Sequence, residues 1–417
     1  MSTTTAQASS IPMAGQNSSF GRRALIIGLV ALVISAIGFL LGPKQAAASW
    51  LLAVTFWTSM AIGMLFLIML HHIFDAGWST IVRRPLEHAV AVFPWLALLF
   101  LPLVALSLFY DPGILWKWMD PNYDLSSVGG HGTVGQDILW AKKSGYLSQP
   151  FFVLRYLLYF GAFALLASRF RRHSFAQDQD GDVGHTHSMR KWAALGIPLA
   201  ALCATFASID WIKSLDYHWF STMFGVWFFA GSMRLALAGT VLICLLLVRE
   251  GRFKGLLNKS HLYDLGNIML AFTVFWAYIS FSQYFLIWNA NIPEETFWYV
   301  IRESGNWWYV GLFLIFGHFL FPFLYLLGYR NKILPGRIAF ISAWFILAQL
   351  VDFYYNIMPY QKDAFGDPKA FSVSIWDISS LLAVGGICAW VVANSLNRTR
   401  IIPIRDPRIL ESVNHHE

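Results

Sequence analysis

A helix that crosses roughly 30 Å of hydrocarbon needs about 20 consecutive, mostly apolar residues. Ten runs of that kind follow one another along the chain: Ala24–Leu41, Trp50–Leu70, Ala89–Phe109, Phe151–Ala167, Trp192–Trp211, Met223–Val248, Gly266–Trp288, Trp307–Leu327, Ile338–Met358 and Val373–Ala393. Polar or basic segments separate them. The pattern predicts an all-α integral membrane protein of ten transmembrane helices, with residues 24–395 as the membrane domain. Residues 1–23 read as a polar N-terminal segment and residues 396–417 as a tail. Met1–Phe20 is Ser/Thr-rich and lacks the basic start and small-residue cleavage site of a signal peptide, so the first span is expected to be retained.

Composition agrees and excludes other classes. Of the 417 residues, 57% are hydrophobic and 13% charged, where a soluble domain carries roughly 25% charged residues. A water-soluble enzyme, a disordered chain and a disulfide-stapled secreted domain are all ruled out. The net charge of +7 is not a nucleic-acid footprint, and no nucleic-acid partner is expected, because the charge sits in short loops. Twenty of the 30 Lys and Arg lie before span one, in loops 2–3, 4–5, 6–7 and 8–9, and in the tail. The alternate loops hold eight, and Arg155 and Arg234 fall inside spans. The positive-inside rule then makes both termini cytoplasmic.

The opposite loops are long. Tyr110–Pro150 carries Asp, Gly and Trp, and Asn289–Asn306 and Pro359–Ser372 are also sizeable. Such loops are either a docking surface for an external subunit or a self-packed cap over the helix ends. A weak internal repeat runs beneath them. Ser144-Gly145 before span four is echoed by Ser304-Gly305 before span eight, and Phe160-Gly161-Ala162-Phe163 by Phe316-Gly317-His318-Phe319. Asp210 and Asp352 lie near the outer ends of spans five and nine. The expected architecture is therefore two parallel four-helix bundles, spans 2–5 and 6–9, flanked by spans 1 and 10.

Ionisable groups inside spans are costly and face a bundle interior or a cavity. His71, His72, Asp75, Glu87, His88 and Asp264 gather toward the cytoplasmic side, with His261 nearby. His72 and Asp75, three apart, would share a helical face if the helix continues. Arg155, Asp210, Gln283, Tyr284 and Asp352 lie toward the outer side, and Arg234 and His318 near the centre. A buried guanidinium keeps its charge and calls for a carboxylate. Arg155 and Asp210, at similar depth, are the expected pair, and Gln283, Tyr284 and Asp352 a comparable group in the second bundle. The two sides read as a split proton path around a central barrier, or as groups that merely satisfy one another.

Cofactor chemistry is sparse. Cys203, Cys244 and Cys388 each sit in an apolar run without a CxxC spacing, as buried small hydrophobes do. A b-type haem wants two histidines at matching depth, and only His318 is deep. Walker, GxSxG, HExxH and dinucleotide fingerprints are missing, and His185-Thr186-His187 reads as a solvated loop. No cofactor held covalently or by metal ligation is expected.

Three runs are distinctive: Ser208-Ile209-Asp210-Trp211-Ile212-Lys213-Ser214-Leu215-Asp216-Tyr217-His218-Trp219-Phe220-Ser221-Thr222-Met223-Phe224-Gly225, His261-Leu262-Tyr263-Asp264-Leu265-Gly266-Asn267 and Gln283-Tyr284-Phe285-Leu286-Ile287-Trp288-Asn289. With the ten spans they give the whole chain a form that resembles the second NrfD-like (polysulfide reductase-type) membrane subunit of bacterial alternative complex III, a quinol:electron-acceptor oxidoreductase. The resemblance implies a subunit of a respiratory complex in the bacterial cytoplasmic membrane, without a redox centre of its own. Its implied partners are an iron–sulfur subunit, a multihaem cytochrome c, a paralogous NrfD-like membrane subunit, a companion terminal oxidase and lipids. The implied role is to support a quinol site or to conduct protons, with quinol as the one candidate ligand. A secondary transporter built on a parallel repeat and a purely structural anchor are the competing readings.

Overall fold

A computed structural model describes residues 19–128, 131–253, 255–360 and 370–415. Residues 1–18 of the expected polar N-terminus and residues 361–369 of the Pro359–Ser372 loop lie outside the described residues. Among the described residues ten helices are long and apolar enough to cross a membrane: α1 Ser19–Leu41, α2 Pro43–Ile73, α3 Gly77–Phe109, α4 Gln149–Asp180, α5 Gly184–Leu215, α6 Phe224–Arg249, α7 Lys259–Ala290, α8 Trp307–Leu327, α9 Pro335–Ile357 and α10 Ile375–Arg398. Among the described residues there is no strand, only an isolated bridge between Asp124 and Thr133. The chain is an all-α polytopic membrane protein.

The helices are longer than the apolar runs, mostly on one face. α3 starts at Gly77 rather than Ala89, α4 continues past Ala167 to Asp180, and α5 and α7 begin at Gly184 and Lys259. Hydropathy marks where lipid would end, not where the helix does. α4 stops only where Gly181 takes the left-handed conformation (φ 75°). These extensions form a layer on the face that carries the ends of α1 and α10, the basic face. The opposite side, with the long connections, is the loop face.

Alternating direction gives α2 and α6 the same sense, and each opens a four-helix unit. α2 packs on α3 and α5, and α4 lies against α3 and α5; α6 packs on α7 and α9, and α8 lies against α7 and α9. α10 rests on α2, and α1 rests mainly on α10. α1 is held by a small-residue stripe, buried at Gly21, Gly28, Ala31, Ser35 and Gly38, as close backbone approach in a membrane requires. Its other faces remain open.

The seam between the units is α2 against α6. A Cβ on Gly63 would stand 2.1 Å from the Ser232 carbonyl oxygen, so a hydrogen is all the space allows. Ser232 Oγ donates to Ser59 Oγ at 3.1 Å across the same seam. α2 is apolar all round because it is enclosed on all sides.

Much of the loop face packs onto itself. Trp116 and Trp118 of the Tyr110–Pro150 segment are buried, and the Trp116 indole donates to the Trp211 carbonyl at 3.3 Å. Arg302 is also fully buried, stacked 3.5 Å from the Trp298 ring. It donates to the carbonyls of Tyr355 and Asn356 at the end of α9.

Gly63→Leu forces this seam apart. The expected cost is about 1–3 kcal/mol or more, as for overpacked cores, seen as a lowered midpoint of thermal unfolding in detergent. Gly145→Ala, where a Cβ meets nothing within 4 Å, should leave the midpoint unchanged.

Candidate functional site

Two buried polar clusters stand out, one in each bundle, with a third on the basic face. In the second bundle α6 contributes Arg234 and Trp227, α7 Trp276, α8 His318, and α9 Gln349, Asp352 and Asn356. Arg234, His318 and Gln349 are fully buried and Asp352 is 2% exposed. His318 lies in a π-helical stretch, Leu314–Leu320. Such wide turns free backbone groups and are frequent at functional sites. Here Arg234 Nη2 donates to the His318 carbonyl at 2.8 Å, and Trp344 Nε1 to that of Gly317 at 2.8 Å.

The side chains form a continuous series of contacts. Arg234 Nη1 lies against both nitrogens of the His318 ring, Nδ1 and, at 2.9 Å, Nε2. Arginine only donates, so a ring nitrogen that receives it carries no proton. His318 Nε2 faces Gln349 Oε1 at 3.1 Å. Gln349 Nε2 in turn donates to Asp352 Oδ2 at 2.8 Å. The same oxygen receives the indoles of Trp227 and Trp276 at 3.1 and 3.0 Å. Arg234 therefore has no carboxylate beside it as expected; Asp352 is reached through His318 and Gln349, and the guanidinium lies over the Phe345 ring instead, 4.5 Å from its centroid.

In the first bundle Arg155 and Asp210 do meet. Arg155 Nε and Nη2 donate to the two carboxylate oxygens at 2.6 and 3.0 Å. Tyr159 donates to Asp210 at 2.7 Å, and the guanidinium stacks over Tyr146 at 3.9 Å. Gln283 and Tyr284 do not join Asp352. Gln283 bonds Ser221 and Tyr299, and Tyr284 donates to Glu303. Gln283 lies two turns beyond Trp276, the α7 residue that reaches Asp352, and so meets the 293–303 helix instead.

On the basic face the expected imidazole–carboxylate array divides into four. Glu87 bridges Arg83 at 2.9 Å and Arg84 at 3.1 Å, Arg84 reaches Asp178 at 2.7 Å, and Arg83 reaches Asp406 at 2.7 Å. Arg408 links Asp406 to Asp75 at 3.0 and 2.8 Å, and Arg190 also reaches Asp75 at 2.8 Å. His71 joins this network through Ser79 and Arg83. Asp75 does not share a face with His72, because α2 ends at Ile73 and Asp75 takes a left-handed turn (φ 51°). His72 is buried with neither ring nitrogen bonded, stacked on Phe170. His88 lies apart, facing Ser395 and the Arg400 carbonyl. Asp264 pairs with His415 at 2.7 Å, and His261 caps its own helix through Asn258.

The tail is the part that sequence reasoning missed. After α10 the chain returns beneath the basic face, burying Ile401, Ile402, Asp406 and Ser412. Burial alone would raise the Asp406 carboxyl, but the guanidiniums of Arg83 and Arg408 hold it well below the usual carboxylate range. Its Asp-Pro-Arg run gave one signal, a carboxylate beside a basic cluster. The indoles that donate to Asp352 gave none.

An apolar cavity of about 290 Å³ separates the basic-face network from the central chain. His71 and Arg83 are among its lining residues, with Met233, Leu237 and Thr240 of α6 on the facing helix. Among the described residues no group of three or more His, Cys, Asp or Glu could hold a metal ion. The chain matches no protein-family model and no curated protein.

Two outcomes follow. Asp406→Asn leaves Arg83 and Arg408 short of a buried anion, and breaking such a pair costs about 3–5 kcal/mol; denaturant unfolding of the variant against the exposed-site control Glu294→Gln reads it. On the loop face His218 faces Asp137 at 2.6 Å and Asp216 at 3.7 Å, and Tyr217 also bonds Asp137. The Asp216 and Asp137 contacts raise the His218 pKa above 6.5 despite partial burial. A raised folded-state pKa stabilises fully below about 6.5 and is lost as pH climbs through the raised value. Hydrogen exchange in residues 134–147, corrected for its intrinsic pH dependence, should be slower at pH 6 than at pH 8.5, and His218→Gln should abolish the difference.

Proposed function

We propose that this chain is the proton-handling membrane subunit, without a redox centre, of a respiratory quinol:electron-acceptor oxidoreductase of the alternative complex III kind. In this reading it lies in a bacterial cytoplasmic membrane with the basic face inside. Iron–sulfur and multihaem cytochrome c subunits sit over the loop face, and an NrfD-like paralogue lies beside it. The observation that carries the reading is the chain Arg234–His318–Gln349–Asp352, buried in mid-bundle on a π-helical turn and cut off by an apolar cavity from the His71–Arg83 network. The three sequence runs that resemble the family supply the complex.

The arrangement suits a gated proton route. His71 and His72 offer exchangeable nitrogens on the inner side. His318 and Asp352 offer them at the centre, and Arg155–Asp210 stands toward the outer side of the first bundle. The cavity between is the barrier. A proton crossing the full potential releases about 2.3 kcal/mol per 100 mV, so an unbroken wire would drain the gradient. A transporter built on broken helices would interrupt equivalent helices of both repeats. Here the irregular turns, Val90–Val92 in α3 and Leu314–Leu320 in α8, fall on non-equivalent ones.

The first test is company: the native protein should co-purify with a multihaem cytochrome c, and its absence would sink the respiratory reading. The second is function. In the intact complex in liposomes, His318→Gln and Asp352→Asn should each slow proton release coupled to quinol oxidation by a factor on the order of 10². Unchanged rate and stoichiometry would leave a scaffold.

A further inference from the structure

A second cavity opens where the second bundle meets the flanking helix. α6 packs on α2 and α9, and α10 on α2; α6 and α10 make little direct contact, and between them runs an apolar slot of about 280 Å³. Trp57 and Met64 of α2 and Ile346 of α9 form its floor. Small residues keep it open: a Cβ on Gly385 would strike the Trp57 ring at 2.4 Å, and one on Gly239 would meet Met64 at 2.8 Å.

Its dimensions and polarity are those of a lipid chain. From Gly385 to Asn397 the slot follows α10 for about 18 Å at 1.5 Å per residue, close to the roughly 15 Å depth of one leaflet. The deep end offers an occupant no free donor, because the Trp57 indole is already given to the Leu381 carbonyl at 3.1 Å. A ring bearing carbonyl oxygens would leave them unpaired there, and an apolar cavity does not hold water. The mouth is polar. Arg252 Nη2 donates to the Leu396 carbonyl at 2.6 Å, closing the loop after α6 onto α10. Glu250 also lines the mouth, its carboxylate 3.7 Å from Arg252. Exposed arginines follow or adjoin its lining residues in sequence: Arg22 and Arg23 after Phe20, Arg249 before Glu250 and Arg398 after Asn397.

We propose that this slot holds one acyl chain of an anionic glycerophospholipid from the leaflet at the basic face, with its phosphate against Arg252 and the neighbouring arginines. The chain supplies the contacts that α6 and α10 do not give each other, so the lipid joins the second bundle to the flank. The proposal is independent of any respiratory role.

Native mass spectrometry of the full-length, delipidated protein in non-ionic detergent tests it, with phosphatidylglycerol and phosphatidylcholine of identical chains as probes. The wild type should retain one phosphatidylglycerol about tenfold more tightly than phosphatidylcholine. Arg252→Gln should bring the two headgroups level, and Arg252→Lys should keep the preference. Ala389→Phe, which fills the slot, should lose the bound lipid; Val392→Phe serves as a second blocking variant. Equal retention of both headgroups by the wild type overturns the proposal, as does undiminished phosphatidylglycerol binding in a folded blocking variant.

Discussion

The close approach of α2 and α6 governs this architecture. Lipid offers helices no hydrophobic drive to associate, so they must meet through shape and hydrogen bonding. With only a hydrogen at Gly63 and small hydroxyls at Ser59 and Ser232, two parallel helices lie nearly backbone to backbone. Each bundle then closes behind its own leading helix. The spacing of everything else, including the slot beside α10 and the cavity near His71, is measured from that contact.

Burying charge is the second constraint, and the bundles meet it differently. Asp210 takes a guanidinium directly, in two-point geometry. Asp352 takes neutral N–H groups, two of them indoles, with Arg234 held at one remove by an imidazole and an amide. The basic-face cluster meets it by numbers: Arg83, Arg84, Arg190 and Arg408 against Asp75, Glu87, Asp178 and Asp406. The fourth helix of each bundle thus carries a buried aspartate, with different partners. The imidazole gives the second bundle a chemistry that the first lacks.

The spans and their order were legible in the sequence; which polar side chains meet was legible only in part. Ten spans, their alternation and the meeting of Arg155 with Asp210 follow from where apolar runs begin and end. Gln283 shares a face of α7 with Trp276, which does reach Asp352, but stands two turns further along, a distance that hydropathy does not resolve. Asp75 was lost to a left-handed turn two residues past the end of α2. The extensions of α3, α4, α5 and α7 beyond the hydrocarbon escaped notice because hydropathy stops where lipid does.

The returning tail has a consequence for the order of assembly. Arg83 lies in α3, and one of its two carboxylates, Asp406, lies more than 300 residues further along the chain. Elements generally fold as they emerge, the earlier before the later. Until all ten spans have been made, the hairpin between α2 and α3 holds an arginine short of a counter-charge, and the path to His71 stands uncovered. The basic face is therefore completed by the final stretch to arrive. A chain interrupted before Asp406 would have every span and no closed face.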